Sequence, residues 1–433
     1  MARRKTALLM TVGTGVGKDK LVKAQKLAHG LFVSIKYHNP DIVYLFGSED
    51  SKCTVNFLKE TYEKAMDEHF DFYKFFIIND IDNFPVYFEE FEKKIIELDD
   101  YRVIIDYTSG TKTMTMSAAF ASMIFRKDLV FVSGERDETG IVVAGTEKPV
   151  SQNLYPVYDN LMLEKIKDLF NINRFESGEI LLNDIVSNNP NKEIYIKLFK
   201  IYNCFDIFDY ETAYALFDEE FLSIIRDKWP DNAQKFSENR HSLSSMQKLD
   251  PEKIDLGKKP WKNRKYKRRC LYLLASLLNN AKRRHEEHKY DDAIARLYRS
   301  LEFIAQIELK TKYGLSTSNI DVSILKSRNL DVDYIKTLED GRDDKSGKIK
   351  MGLTQDYLLL DKLGNKLGKF YVDNQNCIEK FTNRRNDSIL AHGFVFSSDD
   401  DFKDFEKIVL KMARLLNNEI DNLMEESRFP IID

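Results

Sequence analysis

The chain has 433 residues, of which 43% are hydrophobic and 31% are charged, and its formal net charge at pH 7 is −4. This length predicts two or three domains with ample core, and the small negative charge disfavours a general polyanion-binding protein while allowing local basic patches. The four cysteines are far apart and form neither a disulfide framework nor a zinc pattern, which fits a reducing cytoplasm. The apolar run at residues 7–10 is too short for a signal sequence or a membrane span, so we expect a cytoplasmic protein with no membrane partner.

Short apolar runs alternate with helical patterns through the first third of the chain. This alternation predicts an α/β domain with a Rossmann-like parallel sheet and right-handed crossovers. A hairpin is also expected at residues 141–144. The predicted strands cover residues 6–12, 42–46, 72–78, 103–106 and 129–132.

Glycine- and hydroxyl-rich loops follow two of these strands, at residues 13–17 and 109–113. Ligands of parallel sheets bind at the carboxyl ends of the strands, and backbone amides at a helix start can hold phosphate oxygens. Neither nucleotide motif fits the first loop, because the P-loop requires Gly at Val12 and Ser or Thr at Asp19, and the dinucleotide fingerprint requires Gly at Lys18. A plain strand–helix turn remains the alternative.

The middle of the chain loses the strand pattern. Apolar residues at helical spacing predict helices at 161–170, 176–186, 194–205 and 210–229, whereas residues 237–259 are polar and are expected to be irregular. Residues 258–269 then carry eight basic side chains and no acid, interleaved with Trp261 and Tyr266. Such a run is either a solvated helix face or an electrostatic guide for RNA with aromatic rings for base stacking.

The last third reads as an all-α domain. Its predicted elements are a long helical region at 271–312, a charged loop at 340–350, a helix start near 352 with Thr354 as a candidate N-cap, a helix at 375–390 and a closing helix at 402–424. His285 and His288 lie three apart in the first region, but no third metal ligand accompanies them, so we interpret them as solvated.

Arg385 and His392 are the most suggestive pair in this domain. Seven residues are two helical turns, so an uninterrupted helix would present both on one face. Gly393 would cap that helix and leave His392 in its last turn, where the helix dipole favours imidazolium. An arginine beside a protonated histidine suits phosphate chemistry. The arginine can donate two hydrogen bonds to the phosphate oxygens, and the histidine can transfer a proton.

Two stretches resemble motifs of a single protein family. Residues 385–393, Arg-Asn-Asp-Ser-Ile-Leu-Ala-His-Gly, resemble the R-x4-6-H signature of HEPN ribonucleases. Residues 106–114, Asp-Tyr-Thr-Ser-Gly-Thr-Lys-Thr-Met, resemble the D-x-T-[GS]-G-T-K-x-M loop of CARF domains. Both motifs occur in the CRISPR-associated CARF–HEPN ribonucleases of type III systems, the Csm- and Csx-type ancillary nucleases. The resemblance implies a CARF domain at 1–152, a helical linker at 153–262 and a HEPN domain at 263–433.

The resemblance also implies a reaction and its residues. Two protomers of a homodimer would each supply Arg385, Asn386 and His392 to one cleft, where the 2′-hydroxyl of single-stranded RNA attacks the adjacent phosphate without a metal ion. The products would be a 2′,3′-cyclic phosphate and a 5′-hydroxyl. Six residues separate Arg385 from His392, at the long end of the family range. As supporting residues we expect Tyr298, Arg299 and Glu302, with a surface ion pair between Arg299 and Glu302 as the alternative.

The activator implied by the resemblance is a cyclic oligoadenylate, with a ring of four slightly favoured over a ring of six. Thr111 and Lys112 would contact the ring, with Gly13, Thr14 and Gly15 opposite. Slow cleavage of the ring by the sensor loops is also allowed, and a non-catalytic, ligand-responsive regulator is the rival interpretation. The other candidate ligand-binding residues are Ser48, Asn79, Thr108, Ser109, Gly110 and Thr113.

Overall fold

The computed structural model of this chain describes residues 4–15, 19–136, 138, 142–143, 145–185, 189–248, 264–388 and 393–433. The chain divides into two compact units, one formed by Met1–Leu163 with Ile185–Asn189 and the other by Glu164–Asp184 with Pro190–Asp433. Among the described helices, none is long and apolar enough to cross a bilayer.

The first unit contains a six-stranded sheet with the order β3-β2-β1-β4-β5-β6. The first five strands are parallel, as predicted, and β6 pairs antiparallel with β5 at the edge. Sequence patterns did not reveal β6, because it is half-exposed and begins with Lys148 and Pro149. Of the predicted hairpin, Val142 forms a bridge with Arg136, whereas Ile141 and Ala144 lie outside the described residues. The strands are β1 Thr6–Val12, β2 Ile42–Gly47, β3 Tyr73–Ile77, β4 Arg102–Asp106, β5 Asp128–Ser133 and β6 Lys148–Gln152.

Helices cover both faces of this sheet. Alternate side chains of β1 enter opposite cores: Ala7 and Leu9 pack in the cluster that includes α3 and α4, and Leu8 and Met10 in the cluster that includes α1 and α2. Burial on both faces explains why the whole of β1 is apolar apart from two threonines. The helices are α1 Lys20–His38, α2 Lys52–Met66, α3 Phe84–Glu97 and α4 Lys112–Phe125.

Six helices lie in the described part of the middle of the chain. The predicted irregular structure at 237–259 is wrong for its first part, because Ala233–Met246 is a helix; residues 249–259 lie outside the described structure. Its polar Asn239 is buried and donates to the carbonyl oxygens of Glu426 (2.9 Å) and Arg428 (2.8 Å), so a polar sequence still provides an inward face. The helices are α5 Tyr155–Asn171, α6 Phe175–Leu182, α7 Pro190–Asp206, α8 Tyr210–Leu216, α9 Glu219–Lys228 and α10 Ala233–Met246.

The last third is all-α, as predicted, but its helices are shorter than the sequence suggested. The long helical region breaks near His288, whose φ of 59° is left-handed. Thr354 is not an N-cap, because Gly352 holds that position and Thr354 lies inside the helix. The sequence also left α13, α14 and α16 unpredicted. The helices are α11 Arg264–Glu286, α12 Tyr290–Glu308, α13 Val322–Lys326, α14 Val332–Asp340, α15 Leu353–Lys362, α16 Lys366–Asp373, α17 Gln375–Asn386, α18 Asp399–Leu416 and α19 Ile420–Glu426.

Candidate functional site

The loops that follow β1, β2 and β4 meet at one edge of the sheet. These three strands are adjacent and parallel, so their carboxyl ends coincide. The N–H of Gly13 donates to Ser109 Oγ (3.0 Å), and Ser51 Oγ donates to the carbonyl of Val12 (2.8 Å). The structure therefore brings the first and the last predicted ligand loop into direct contact.

Glycine is required where these two loops touch. A Cβ on Gly13 would lie 2.9 Å from the backbone nitrogen of Gly110, and Gly110 itself has a φ of 128°. Gly15 is also left-handed, with a φ of 73°. Only glycine combines this close approach and these angles at low cost, so the backbones can pack edge to edge.

Two predicted ligand residues, Thr108 and Ser109, help to hold the loop between β4 and α4, which we call the β4 loop. Buried Asp106 accepts from the backbone N–H of Thr108 (2.7 Å) and from the Ser34 hydroxyl, and burial raises the pKa of Asp106. Thr108 Oγ1 in turn accepts from the N–H of Val132 (2.8 Å). Together with the contact of Ser109 to Gly13, these bonds give the loop a fixed shape.

The first turn of α4 is the part of this edge best suited to an anion. Thr111 Oγ1 caps the helix by accepting from the N–H of Met114 (3.2 Å). The N–H groups of Lys112 and Thr113 lie in the first turn, where a helix offers no carbonyl partner, and the Lys112 side chain is exposed. Amides, a positive helix end and an ammonium group together favour a bound phosphate.

The remaining predicted ligand residues lie further along the same edge. Thr14 is half-buried, and its hydroxyl donates to the carbonyl of Gly15 (3.3 Å). Ser48 follows β2 and donates its N–H to Ser51 Oγ (3.1 Å). Asn79 is exposed and follows β3, the edge strand, so it lies beside the β2 loop rather than the β4 loop.

The helix that carries Arg385 ends earlier than the sequence predicted. Helix α17 stops at Asn386, and Ser388 pairs in a bridge with Val395. The argument that Arg385 and His392 share a helical face is therefore wrong, and so is the role of Gly393 as the cap of this helix. His392 lies in residues 389–392, outside the described structure.

Arg385 and Asn386 are nevertheless in contact. Arg385 Nη1 donates to Asn386 Oδ1 (3.0 Å), and its guanidinium lies 4.8 Å from the centroid of the Tyr298 ring. Burial and then the Glu302 carboxylate raise the pKa of the Tyr298 phenol, whereas the charge of Arg385 acts in the opposite direction. One predicted supporting residue, Tyr298, thus touches a predicted catalytic residue.

Arg299 and Glu302 form the ion pair that the sequence offered as the alternative. Their closest atoms are 3.5 Å apart, and Arg299 also donates to Gln306 Oε1 (3.1 Å). An exposed pair of this kind contributes about 0–1 kcal/mol to stability. Glu302 also hydrogen-bonds with Tyr298, whose ring contacts Arg385. None of the described contacts joins Arg299 to Arg385.

Two backbone hydrogen bonds join the residues before position 389 to the residues after position 392. The N–H of Gly393 donates to the carbonyl of Ser388 (3.1 Å), and the N–H of Val395 donates to the carbonyl of Asp387 (2.9 Å). A Cβ on Gly393 would lie 2.1 Å from the Asp387 carbonyl oxygen. Gly393 is therefore required for close backbone approach.

Asp356 on α15 is a buried acid that sequence reasoning missed. It is 2% exposed, and burial followed by the charge of Glu302 raises its pKa to about 8. Its Oδ1 atom is buried without a hydrogen-bond partner among the described residues. The run of leucines that follows it indicates a core helix but gives no sign that an aspartate would face inward.

His285 lies in α11 and His288 in the turn after it, and only His288 is solvated as expected. His285 Nε2 lies 2.6 Å from Asp399 Oδ1 and its ring stacks on Phe402, whereas His288 is in the turn before α12 and contacts the Tyr290 hydroxyl. Within the described part of the chain, no group of three or more His, Cys, Asp or Glu side chains is arranged to hold a metal ion.

Comparisons with known proteins assign the family. The Csm6 HEPN domain model matches residues 262–416, and the Csm6 6H domain model matches residues 158–248, where the middle helices lie. The structure of Enterococcus italicus Csm6 bound to cyclic hexa-2'-fluoro-hexa-dAMP is similar in fold, with a TM-score of 0.60 at 14% identity over 97% of each chain. No curated protein matches the chain. The two Csm6 domain models and the structural similarity to a Csm6 protein identify the chain as a Csm6-like, CRISPR-associated CARF–HEPN ancillary nuclease.

Proposed function

We propose that this protein is a single-stranded RNA endoribonuclease of type III CRISPR defence that a cyclic oligoadenylate switches on. The observation that carries the proposal is the contact of Arg385 with Asn386 at the end of α17, inside the region that matches the Csm6 HEPN domain. Under this proposal residues 1–152 form the sensor, 153–262 the linker and 263–433 the ribonuclease.

In the proposed reaction the RNA supplies its own nucleophile. The 2′-hydroxyl attacks the neighbouring phosphorus, the bond to the 5′-oxygen breaks, and the products carry a 2′,3′-cyclic phosphate and a 5′-hydroxyl. Arg385 stabilises the charge on the phosphorane. Asn386 orients His392 or the substrate, and His392 transfers protons, a role worth about 10²–10⁴ in rate. No step requires a metal ion, and DNA, which lacks the 2′-hydroxyl, is not cleaved.

Two exposed apolar surfaces support a homodimer. Met116, Phe120 and Ile124 lie at intervals of four residues along α4 and form one exposed stripe. In the second unit, Phe394 and Phe396 are 87% and 70% exposed in the segment after the proposed catalytic residues. Exposed apolar patches of this kind mark association surfaces, and a two-fold partner that covers both would create composite sites.

The proposed activator binds at the first turn of α4. Lys112 and the N–H groups of that turn suit the phosphates of a ring, and the glycines of the β1 loop allow close approach. The family resemblance slightly favours a ring of four adenylates, whereas the similar Enterococcus italicus protein is bound to cyclic hexa-2'-fluoro-hexa-dAMP. A cyclic oligoadenylate with two-fold symmetry could contact the same loops in both protomers. Such binding would stabilise the arrangement of the dimer in which the ribonuclease site is active.

One assay on purified protein tests the proposal. Labelled single-stranded RNA and matched DNA are incubated with cyclic tetra-adenylate or hexa-adenylate, with and without EDTA, while light scattering reports the mass and chromatography follows the ring. We expect a dimer that cleaves only RNA, requires one of the rings, tolerates EDTA and leaves 2′,3′-cyclic phosphate ends. Ring binding without RNA cleavage would instead identify a non-catalytic regulator, and ring loss would identify ligand turnover by the sensor.

A further inference from the structure

Arg384 and Arg385 are adjacent in α17, but their side chains contact different helices. Arg385 lies over Tyr298 of α12. Arg384 Nη2 lies 2.8 Å from Asp401 Oδ2 of α18 and donates to the carbonyl of Phe396 (3.4 Å). Arg384 thus joins the last turn of α17 to the segment that precedes α18.

That segment is fixed by further polar contacts. Ser397 donates its N–H (3.1 Å) and its hydroxyl (2.6 Å) to Asp291 Oδ1 at the start of α12. Ser398 donates its N–H (2.9 Å) and hydroxyl (2.7 Å) to Asp401 Oδ2 and caps α18. Asp401 therefore accepts from Ser398 and Arg384 with the same oxygen, and the cap and the ion pair form one unit.

The ion pair is partly shielded from solvent, with side-chain exposures of 36% for Arg384 and 13% for Asp401. Burial by itself would raise the pKa of Asp401, but the hydrogen bonds from Ser398 and the charge of Arg384 outweigh it and leave the pKa lowered. Asp401 is therefore ionised at neutral pH, and its bond to the guanidinium is charge-assisted and directional.

We propose that Arg384, through its ion pair with Asp401, is a positioning residue for the ribonuclease reaction. It holds the last turn of α17, and with it Arg385 and Asn386, in a fixed orientation against the segment that begins at Gly393. This inference rests on the proposed function, because it concerns the rate at the same site. A misplacement of about 1 Å in such a site lowers the rate by roughly 100-fold, whereas it changes overall packing little.

Arg414 provides a matched control on α18, the helix that carries Asp401. It forms an ion pair with Asp421 of α19 through two bonds of 2.8 and 3.0 Å, and both side chains are about half exposed. None of the contacts described for this second pair involves α17 or the segment after it. Its removal tests whether losing any ion pair of α18 affects the rate.

The experiment measures cleavage of a fluorescent single-stranded RNA by the full-length protein, with saturating cyclic tetra-adenylate or hexa-adenylate. We expect Arg384→Gln and Asp401→Asn each to lower kcat by about 10-fold or more, with KM and ring affinity within about twofold of wild type. The double variant should be no slower than the slower single variant, because both changes remove one interaction. Arg384→Lys should have a kcat between those of Arg384→Gln and wild type, because lysine keeps the positive charge but lacks the planar guanidinium group. Arg414→Gln should cleave normally.

Two results would overturn the inference: Arg384→Gln with a kcat within twofold of wild type, or losses of kcat that only follow a fall in Tm and appear equally in Arg414→Gln. His392→Ala, measured in the same assay, separates this failure from that of the proposed function. Should His392→Ala cleave like wild type, the HEPN mechanism is wrong. Should it be inactive while Arg384→Gln is fully active, only the positioning role is wrong.

Discussion

The loops at the carboxyl edge of the sheet are placed by strand pairing and held by hydrogen bonds within that edge, whereas the end of α17 is held by side chains from three helices. At the sheet edge, parallel pairing places the loops side by side, and glycines allow Gly13 and Gly110 to touch. At the end of α17, Arg385 depends on Tyr298 of α12, and Arg384 depends on Asp401 of α18. The pairing of parallel strands therefore places the ligand loops, whereas contacts between side chains of different helices place the reactive residues.

This difference predicts how each site responds to substitution. Removing a side chain that holds no part of the sheet edge, such as that of Lys112, should leave the loop in place, because strand pairing and the bonds of Asp106, Thr108 and Ser109 define it. Removing one near α17 should either delete the chemistry or displace it.

The largest effect is expected at the proposed reactive residues. Arg385→Ala and His392→Ala should each lower RNA cleavage by at least about 100-fold while ring affinity stays unchanged. Arg385 is only half-buried, so its truncation should lower Tm little. Gel assays, calorimetric titration and thermal melts measure the three quantities. Lys380→Ala, at an exposed position of the same helix, is the control and should behave like wild type.

The second effect separates sensing from cleavage. Thr111→Ala combined with Lys112→Ala should abolish activation and ring affinity together, while basal cleavage persists. Because Thr111 also caps α4, its loss should cost about 1 kcal/mol of stability. Thr111→Ser combined with Lys112→Ala keeps a cap and isolates the ammonium group. Full activation of the Thr111→Ala and Lys112→Ala double variant by either ring would place the sensor elsewhere.

The third prediction concerns the close approach of Gly393 to the backbone of Asp387. Gly393→Ala should lower kcat by about 10-fold and destabilise the protein by about 1–3 kcal/mol, because its Cβ would lie 2.1 Å from the Asp387 carbonyl oxygen. Gly352→Ala is the matched control, since nothing lies within 4 Å of its Cβ. Cleavage rates and thermal melts of both variants are compared. Equal behaviour of the two would remove the close approach as an explanation.

The smallest effect concerns stability alone. The folded protein keeps Asp356 protonated up to a pKa of about 8, whereas the unfolded chain ionises it near 3.8, so wild-type stability falls as pH rises between these values. Asp356→Asn does not titrate and should therefore gain about 1–3 kcal/mol relative to wild type at pH 7.5, but little at pH 4.5. Thermal melts at both pH values measure this, with Asp361→Asn of the same helix as control. A stability difference that does not depend on pH would contradict the assignment.

The class of fold can be predicted from the sequence alone. Five of the six strands and most helices followed from periodicity, because the apolar face that each element buries is written into its own residues. The strand-end loops followed too, since parallel pairing requires that they meet. The contact of Arg385 with Asn386 depends on no distant residue, because the two residues are neighbours in the sequence. The functional roles of both sites stay predictions.

Where polar segments pack and where helices end depends on tertiary contacts. Helix α10 has a buried face because Asn239 finds carbonyl partners near the C-terminus, almost two hundred residues away. Helix α17 ends at Asn386 although the next residues include Ile389, Leu390 and Ala391, because the carbonyl of Asp387 accepts from Val395 instead of continuing the helix. Periodicity reports which face of a segment is buried, but these outcomes depend on hydrogen bonds between residues that local patterns do not connect.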